Sequence, residues 1–520
     1  MLLNSVPVLS FLVWFPILSG CLILFIPKRE NVEKLTQSIV VWVSVFCLLI
    51  SVFLLFRFKI DTSDLQFVEF YEWLPSLGIN YYLGLDGFSL PFVTLTCFMT
   101  FLVILYSLNS STERVVLYFS LFLIMQGLMC GVFLAIDAIL FYVFFEAMLI
   151  PMFLVIGIWG SSNRVYATLK FFLYTFIGSI FLLLGIIYLH YNALSNGVIL
   201  KDSFNILQFQ NLYLTFNQQK WLFWGLLFAF SVKIPMWPVH TWLPDAHVEA
   251  PTGGSVILAA ITLKIGGYAM IRFILPITTE ACYAYSWVVV ALSLIAIVYI
   301  GFVAIVQGNM KKMVAYSSIS HMGFVTLGLF LIFEFSSSRT IFDGVTCIEG
   351  AMFQMISHGF IAGALFFCVG MLYERVHTKN ISDFGGVINK MPIFSIFFML
   401  FAMSNTGLPG TSGFVGEFLI ILSTFKVSFW VAFLTGTTLI LSAIYTLWMY
   451  KRVVFGVIKT DIVEVLSDLE LKEKIILSCL GFCVLFLGIY PHPLLTIMDF
   501  SVENLVYHIL KFNLGIMFVC

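Results

Sequence analysis

Long apolar runs separated by short polar stretches follow one another along the whole chain. A helix needs roughly 20 apolar residues to cross about 30 Å of hydrocarbon, and about fourteen runs meet that measure. They lie near 6–26, 38–58, 85–108, 113–135, 136–158, 168–190, 221–243, 254–275, 285–307, 312–333, 349–374, 392–426, 429–451 and 474–490. The pattern predicts an all-α polytopic membrane protein. The polar stretch 191–220 is a long loop on the outer side.

Two spans are discontinuous. WLFWGLLFAFSVKI, 221–234, makes only about 21 Å of helix before Pro235 and Pro238 remove backbone donors. NTGLPGTSG, 405–413, separates IFSIFFMLFAMS from FVGEFLIILSTF; each half is about 18 Å of helix and only the two together can cross. With spans four to eight and nine to thirteen taken as units, each break falls in the fourth member. A five-span unit enters the membrane in opposite senses in its two copies, so the repeats are inverted; FAFS (228–231) and FAMS (401–404) agree with that register. Paired broken helices at matching places point to a transport site. The expected division is 1–112 for three N-terminal helices, 113–275 for the first repeat, broken near 233–243, 285–451 for the second, broken near 405–413, and 452–520 for a C-terminal loop, last helix and tail.

Composition narrows the class. Only 10% of residues are charged, against about 25% in soluble domains. The formal charge of −1 is scattered over loops, which excludes a nucleic-acid partner and leaves the lipid bilayer as the medium. No G-x-G-x-x-G, Walker or C-x-x-C pattern occurs, so the chain itself is expected to bind no cofactor and no metal. Of the Lys and Arg residues, fifteen fall on one side of the span pattern, Lys28, Arg29, Lys311, Lys312, Arg375, Lys379 and Lys459 among them, and eight on the other. Basic loops mark the inner side, which puts both termini outside. The first basic residue, Lys28, follows a complete apolar span, and Phe is abundant at 57 residues. That start lacks the basic head of a cleaved leader; with the Phe content it points to an organelle-encoded protein of the mitochondrial inner membrane, the bacterial plasma membrane being the alternative.

A charge near the bilayer centre costs roughly 2.5–3.5 kcal/mol on insertion scales, so ionisable groups well inside spans identify candidate chemistry. Four qualify: Glu146, Lys233 just before the first break, Lys264, and Glu417 just after the second. One reading is that they pair and only hold helices together, but buried pairs seldom improve on apolar packing, and broken helices need water or protein partners for their backbone. A desolvated lysine gives up its proton more readily and a nearby carboxylate opposes that, so moving the carboxylate discharges the lysine. Glu146 is thus expected to set the proton affinity of Lys233, Lys264 to pass the proton on, and Glu417 to exchange it. His321 and His358 lie within spans and His240 beside the first break; neutral imidazole accepts and donates at once, so these can connect the stations, helix packing being the alternative for each alone. His240, His247, Asp137 and Asp245 lie near span ends where water is within reach. The stretch between the first break and Lys264 is expected to be a connector without a site of its own.

SVKIPMWPVHTWLPDAHVEAPTGGSVILAAITLK (231–264) and LPGTSGFVGEF (408–418) closely resemble the antiporter-like, proton-translocating subunit family of NADH:ubiquinone oxidoreductase, respiratory complex I, which also includes large subunits of multisubunit sodium/proton antiporters. The resemblance spans most of the chain. It implies fourteen helices with two inverted five-helix repeats, a coupling pair at Glu146 and Lys233, and a central relay at Lys264. The glutamate at 417, where subunits 2 and 5 of the family carry lysine, sets its branch apart. It also implies that NADH, FMN, iron–sulfur clusters and ubiquinone are handled by other subunits, and that the partners are the membrane-arm subunits, especially subunits 2 and 5. A sodium/proton antiporter subunit is the alternative, and a purely structural spacer a third.

Overall fold

The computed structural model describes residues 7–26, 32–108, 113–335, 341–458, 461–464 and 466–513. Lys28, Arg29 and Lys459 lie outside them. Among the described residues, ten helices are long and apolar enough to cross a membrane, eleven if the bent pair Leu471–Ile489 and His492–Lys511 counts as one. Each of the fourteen expected spans coincides with helix. The four outside the ten are the shorter Val8–Leu24, the two discontinuous spans (Phe216–Lys233 continuing into Trp242–Glu249, and Pro392–Asn405 into Ser412–Val427), and Leu471–Ile489.

Burial orders these helices from centre to edge. The apolar windows of Thr252–Ile277 and Ile341–Val376 are wholly buried and that of Met310–Glu334 is 94% buried, whereas Val32–Arg57 and Arg164–Ser195 reach only 33%. The three central helices are those carrying Lys264, His358 and His321. Ionisable side chains therefore occupy the protein interior, where another helix rather than lipid must accommodate them.

Both interruptions lie where predicted, and each is stitched from within, since a helix end at membrane depth must satisfy its own backbone. At the first, the Val232 carbonyl accepts from the Trp242 indole at 2.9 Å, and the Met236 amide donates to Ser231 at 2.9 Å. At the second, Gly407 takes φ +77°, a left-handed conformation that glycine adopts freely, and the Leu408 amide turns back to the Met403 carbonyl at 3.2 Å. The Asn405 amide group donates to Ser317 at 3.0 Å and Thr446 at 3.1 Å, which ties this break to two neighbouring helices.

Three elements depart from expectation. Residues 66–85 hold an antiparallel hairpin, Gln66–Leu74 with Ile79–Leu85. Its Glu69 carboxylate accepts from the Leu9 and Ser10 amides at 2.8 and 3.0 Å, capping the first helix, and its Asn80 amide reaches Asp137 at 3.0 Å. Asp137 is consequently a buried cap, bonded also to the Ile139 and Leu140 amides, rather than an interfacial group. The expected C-terminal tail is a further helix, His492–Asn513, bent 66° from the one before it. The outer loop 191–220 contains the short helix Ile206–Gln210 as well as the ends of its two neighbours.

Gly266, on the Lys264 helix, marks a close approach to the first broken helix: a Cβ there would stand 2.8 Å from the Ile234 amide nitrogen and 3.1 Å from the Phe230 carbonyl. Both are backbone atoms and cannot swing aside. Gly266→Val is expected to cost about 1–3 kcal/mol as overpacking, read as reduced abundance of the assembled subunit on native gels. Gly225→Ala, where an added Cβ meets nothing within 4 Å, should leave abundance unchanged.

Candidate functional site

The Lys264 helix contains two π-helical turns, Leu258–Thr262 and Met270–Ile274. A π turn shifts the backbone bonding by one residue and recurs at functional sites. Here the Lys264 ammonium donates to the Ala259 carbonyl, five residues back in the first of these turns. Its other neighbour is His358, whose Nδ1 lies 2.7 Å from Nζ. Lys264 has no measurable exposure, and among the described residues no carboxylate stands within 4.0 Å of it. The reading of these charges as neutralised ion pairs therefore fails for the central lysine.

From His358 the row continues. The rings of His358 and His321 are 5.9 Å apart between centroids, and His321 Nδ1 stands 2.8 Å from Glu417 Oε1. That last approach is short but out of line for a ring N–H hydrogen bond, and among the described residues both His321 nitrogens, His358 Nε2 and Glu417 Oε2 have no hydrogen-bond partner. Gln354 donates to Glu417 Oε1 at 3.2 Å. Lys264, His358, His321 and Glu417 thus form one contiguous buried file whose last links have unused donors or acceptors, the condition under which a proton can be passed.

On the other side of Lys264 the geometry is looser. Lys233 is 3% exposed, with its ammonium 4.6 Å from the centroid of the Phe145 ring, a cation–π contact that stabilises a desolvated charge. Glu146, one residue along, interacts electrostatically with Lys233 and approaches the Ser179 hydroxyl, yet no ion pair within 4.0 Å joins them. Glu146 Oε1 has no hydrogen-bond partner, and the side chain is only part-buried, beside Val143 and Ile150 at 39% and 60% exposure. His240 is placed apart from the file, in electrostatic reach of Lys170, which pairs with part-exposed Asp245 at 2.7 Å.

Sequence reasoning missed a buried group of side chains toward the end of the Lys264 helix that begins at Thr252. The stretch between the first break and Lys264 is more than a connector: it holds helix Trp242–Glu249, and His247 is fully buried, stacked 4.5 Å from Phe366 with neither ring nitrogen bonded. His247 interacts electrostatically with both Lys264 and Lys311. Lys311, expected in an inner loop, is 1% exposed and donates to the Ala250 carbonyl at 2.7 Å. It borders a cavity of about 210 Å³ shared with Glu249, Glu374 and Lys379. The missed signal was Asn309, which caps the helix at the Lys312 amide and so draws Lys311 into its first turn. Among the described residues, no group of three His, Cys, Asp or Glu side chains could hold a metal ion.

Residues 135–442 match the family described as NADH:quinone oxidoreductase/Mrp antiporter, TM. The chain is 44% identical to NADH-quinone oxidoreductase subunit M of Rhodobacter capsulatus, over 96% of this chain and 97% of that one. It is 42% identical to NADH-ubiquinone oxidoreductase chain 4 of Marchantia polymorpha, again over 96% and 97%. Among solved structures, a chain of respiratory complex I from Thermus thermophilus with bound NADH superposes with a TM-score of 0.83 at 27% identity, covering 96% and 99% of the two chains. A chain of the Mrp complex from Dietzia sp. DQ12-45-1b shares the fold, with a TM-score of 0.82 at 21% identity over 98% of this chain and all of the other. The file of charges thus sits in a polytopic, antiporter-like membrane subunit. The chain belongs to the NADH:quinone oxidoreductase/Mrp antiporter family, in its subunit M or chain 4 branch.

Gly407 governs the end of the file, since a Cβ there would lie 2.9 Å from Glu417 Oε2 in a left-handed backbone. Gly407→Ala should cost about 1–2 kcal/mol from the backbone alone and displace Glu417 from His321. The expected result is a lower proton-to-electron ratio at retained NADH oxidation, measured in vesicles with a pH-sensitive dye.

Proposed function

We propose that protons cross this subunit through Glu146, Lys233, Lys264, His358, His321 and Glu417, driven by redox chemistry carried out in other subunits. The chain is a proton-translocating membrane subunit of an NADH–quinone oxidoreductase, and the enzyme class belongs to that assembly. The observation that carries the relay is the central lysine, which no carboxylate among the described residues holds charged within 4.0 Å and which touches His358, the histidine that leads through His321 to Glu417. Lys233 and Glu146 form the adjustable pair: their separation leaves room for the carboxylate to approach and hold the lysine charged, or to recede and discharge it. The Lys311 cavity and His247 provide Lys264 with a second supply of protons, from the inner face, beside the one through Lys233. His240 serves the Lys170–Asp245 side rather than the main file.

The division into 1–112, 113–275, 285–451 and 452–520 follows from the same reading, the two middle units being inverted repeats with one break each. Glu146 names a partner surface. A carboxyl on a helix face with exposed Val143 and Ile150 is not left to lipid, so a second membrane-arm subunit covers it, an antiporter-like subunit such as 2 or 5 being the chemistry that fits. NADH, FMN, iron–sulfur clusters and ubiquinone are assigned to those other subunits. The membrane is the mitochondrial inner membrane in the reading favoured by the Phe-rich composition, and the bacterial plasma membrane otherwise.

An antiporter subunit has the same fold, and cation dependence separates the two: the relay reading expects NADH-driven proton movement without a sodium requirement. Lys233→Met is expected to lower the proton-to-electron ratio by the share this subunit carries, with the complex assembled and its NADH oxidation uncoupled from pumping. An assembled Lys233→Met complex with an unchanged ratio would refute the relay. Loss of assembly with the ratio preserved in the remaining complex would instead make these residues structural.

A further inference from the structure

A second polar cluster lies on the Lys264 helix toward the outer face, and the relay does not use it. Arg272 is 5% exposed and Asp86 4%, and they pair at 2.7 Å through Nη2 and Oδ1. Arg272 Nε donates to the Tyr268 hydroxyl at 2.9 Å, and that hydroxyl donates to the Phe133 carbonyl at 2.7 Å. Asp86 is itself fixed by the Phe88 and Ser89 amides at 3.1 and 3.0 Å. Beyond the pair, a cavity of about 320 Å³ extends toward Asp64, Gln210, Ser501 and His508. Lys264 and Arg272 are eight residues apart, about 12 Å along the helix.

We propose that Arg272, held between Asp86 and Tyr268, is a fixed positive barrier that closes the Lys264 station to the outer face, so that its proton leaves only sideways through His358. The inference rests on the relay reading of Lys264. A proton moving outward from Lys264 meets Tyr268 first. The hydrogen of that hydroxyl is committed to a carbonyl, which has none to release, and the hydroxyl accepts from a guanidinium, which does not deprotonate in proteins. No hand-over through the cluster is chemically open. Arg272 and Asp86 both line that cavity, so the guanidinium stands between the cavity and Tyr268 on the Lys264 helix, and an arginine so placed repels cations and protons alike, as in selective pores. The stacking of the guanidinium near the Phe88 and Tyr268 rings, 5.4 and 5.1 Å to the centroids, keeps it in place.

The test reads passive proton conductance of the assembled complex in vesicles, with no NADH present, as decay of an imposed pH gradient. Asp86→Asn with Arg272→Gln keeps polar side chains while removing both charges; decay is expected to quicken at least threefold and to return to the wild-type rate when Lys264→Met is added. Wild-type decay in the assembled double variant overturns the barrier. A leak that persists with Lys264→Met overturns the assignment of that leak to the relay station. If the double variant does not assemble, Arg272→His provides an internal comparison: imidazolium beside Asp86 at pH 6 should hold the seal, and neutral imidazole at pH 8.5 should open it. Wild type measured at both pH values controls for Asp64, Asp86 and His508, which line the same cavity, and for Tyr268, bonded to position 272. An equal excess leak at pH 6 and pH 8.5 overturns the proposal. Pumping in Lys264→Met is read separately under turnover, so a failed barrier and a failed relay give different results.

Discussion

A fully buried ammonium with no carboxylate within reach organises the centre of this protein. Taking such a charge out of water costs several kcal/mol even after relaxation, and the fold offers it only a backbone carbonyl from a π turn and one imidazole nitrogen. Those contacts tolerate the charge without fixing it. The contrast is with Arg272 and Arg375, which meet Asp86 and Glu473 at 2.7 Å each: a guanidinium in a short carboxylate pair is locked, and locked charges suit architecture. An amine between neutral acceptors can exist with or without its proton, and this is the property a translocating path requires.

The remaining architecture keeps that amine surrounded by protein. Lys264, His321 and His358 lie on the three most buried helices, and the peripheral helices supply the lipid-facing surface. Close approach comes from glycine: Gly266 lets the Lys264 helix press against the end of the first broken helix, and Gly407 lets the second break fold over Glu417. Each break therefore brings polar backbone to membrane depth while a neighbouring glycine makes room for the ionisable group beside it. Lys233 and Glu417 stand on opposite sides of their respective breaks, one before and one after.

Much of this was legible from the amino-acid sequence, because an ionisable residue deep in an apolar run is visible against its background. Glu146, Lys233, Lys264 and Glu417 were found that way, and His321 and His358 were placed between them; the structure brings four of these six into one file. What escaped has a physical explanation. Lys311 and His247 sit at the ends of spans, where polar residues are ordinary, and only the cap at Asn309 and the short helix after the first break carry them inward. Asp86 and Arg272 meet across 186 positions of sequence, so neither announces the other. The π turns leave no mark in residue type, since Leu, Ala, Ile and Thr suit an α-helix equally well. The hairpin and the last helix were missed because membrane spans were the pattern sought, and Glu69, which joins the hairpin to the first helix, is an interaction across 60 residues.

The half-buried position of Glu146 bears on how the protein is made. A chain that has inserted but has not met its neighbours displays an acid at mid-membrane on a face that otherwise suits lipid. Such an intermediate is marked by its own sequence as incomplete, without any need for misfolding. One carboxyl group thereby distinguishes a chain whose Glu146 face is covered from one whose face is still open.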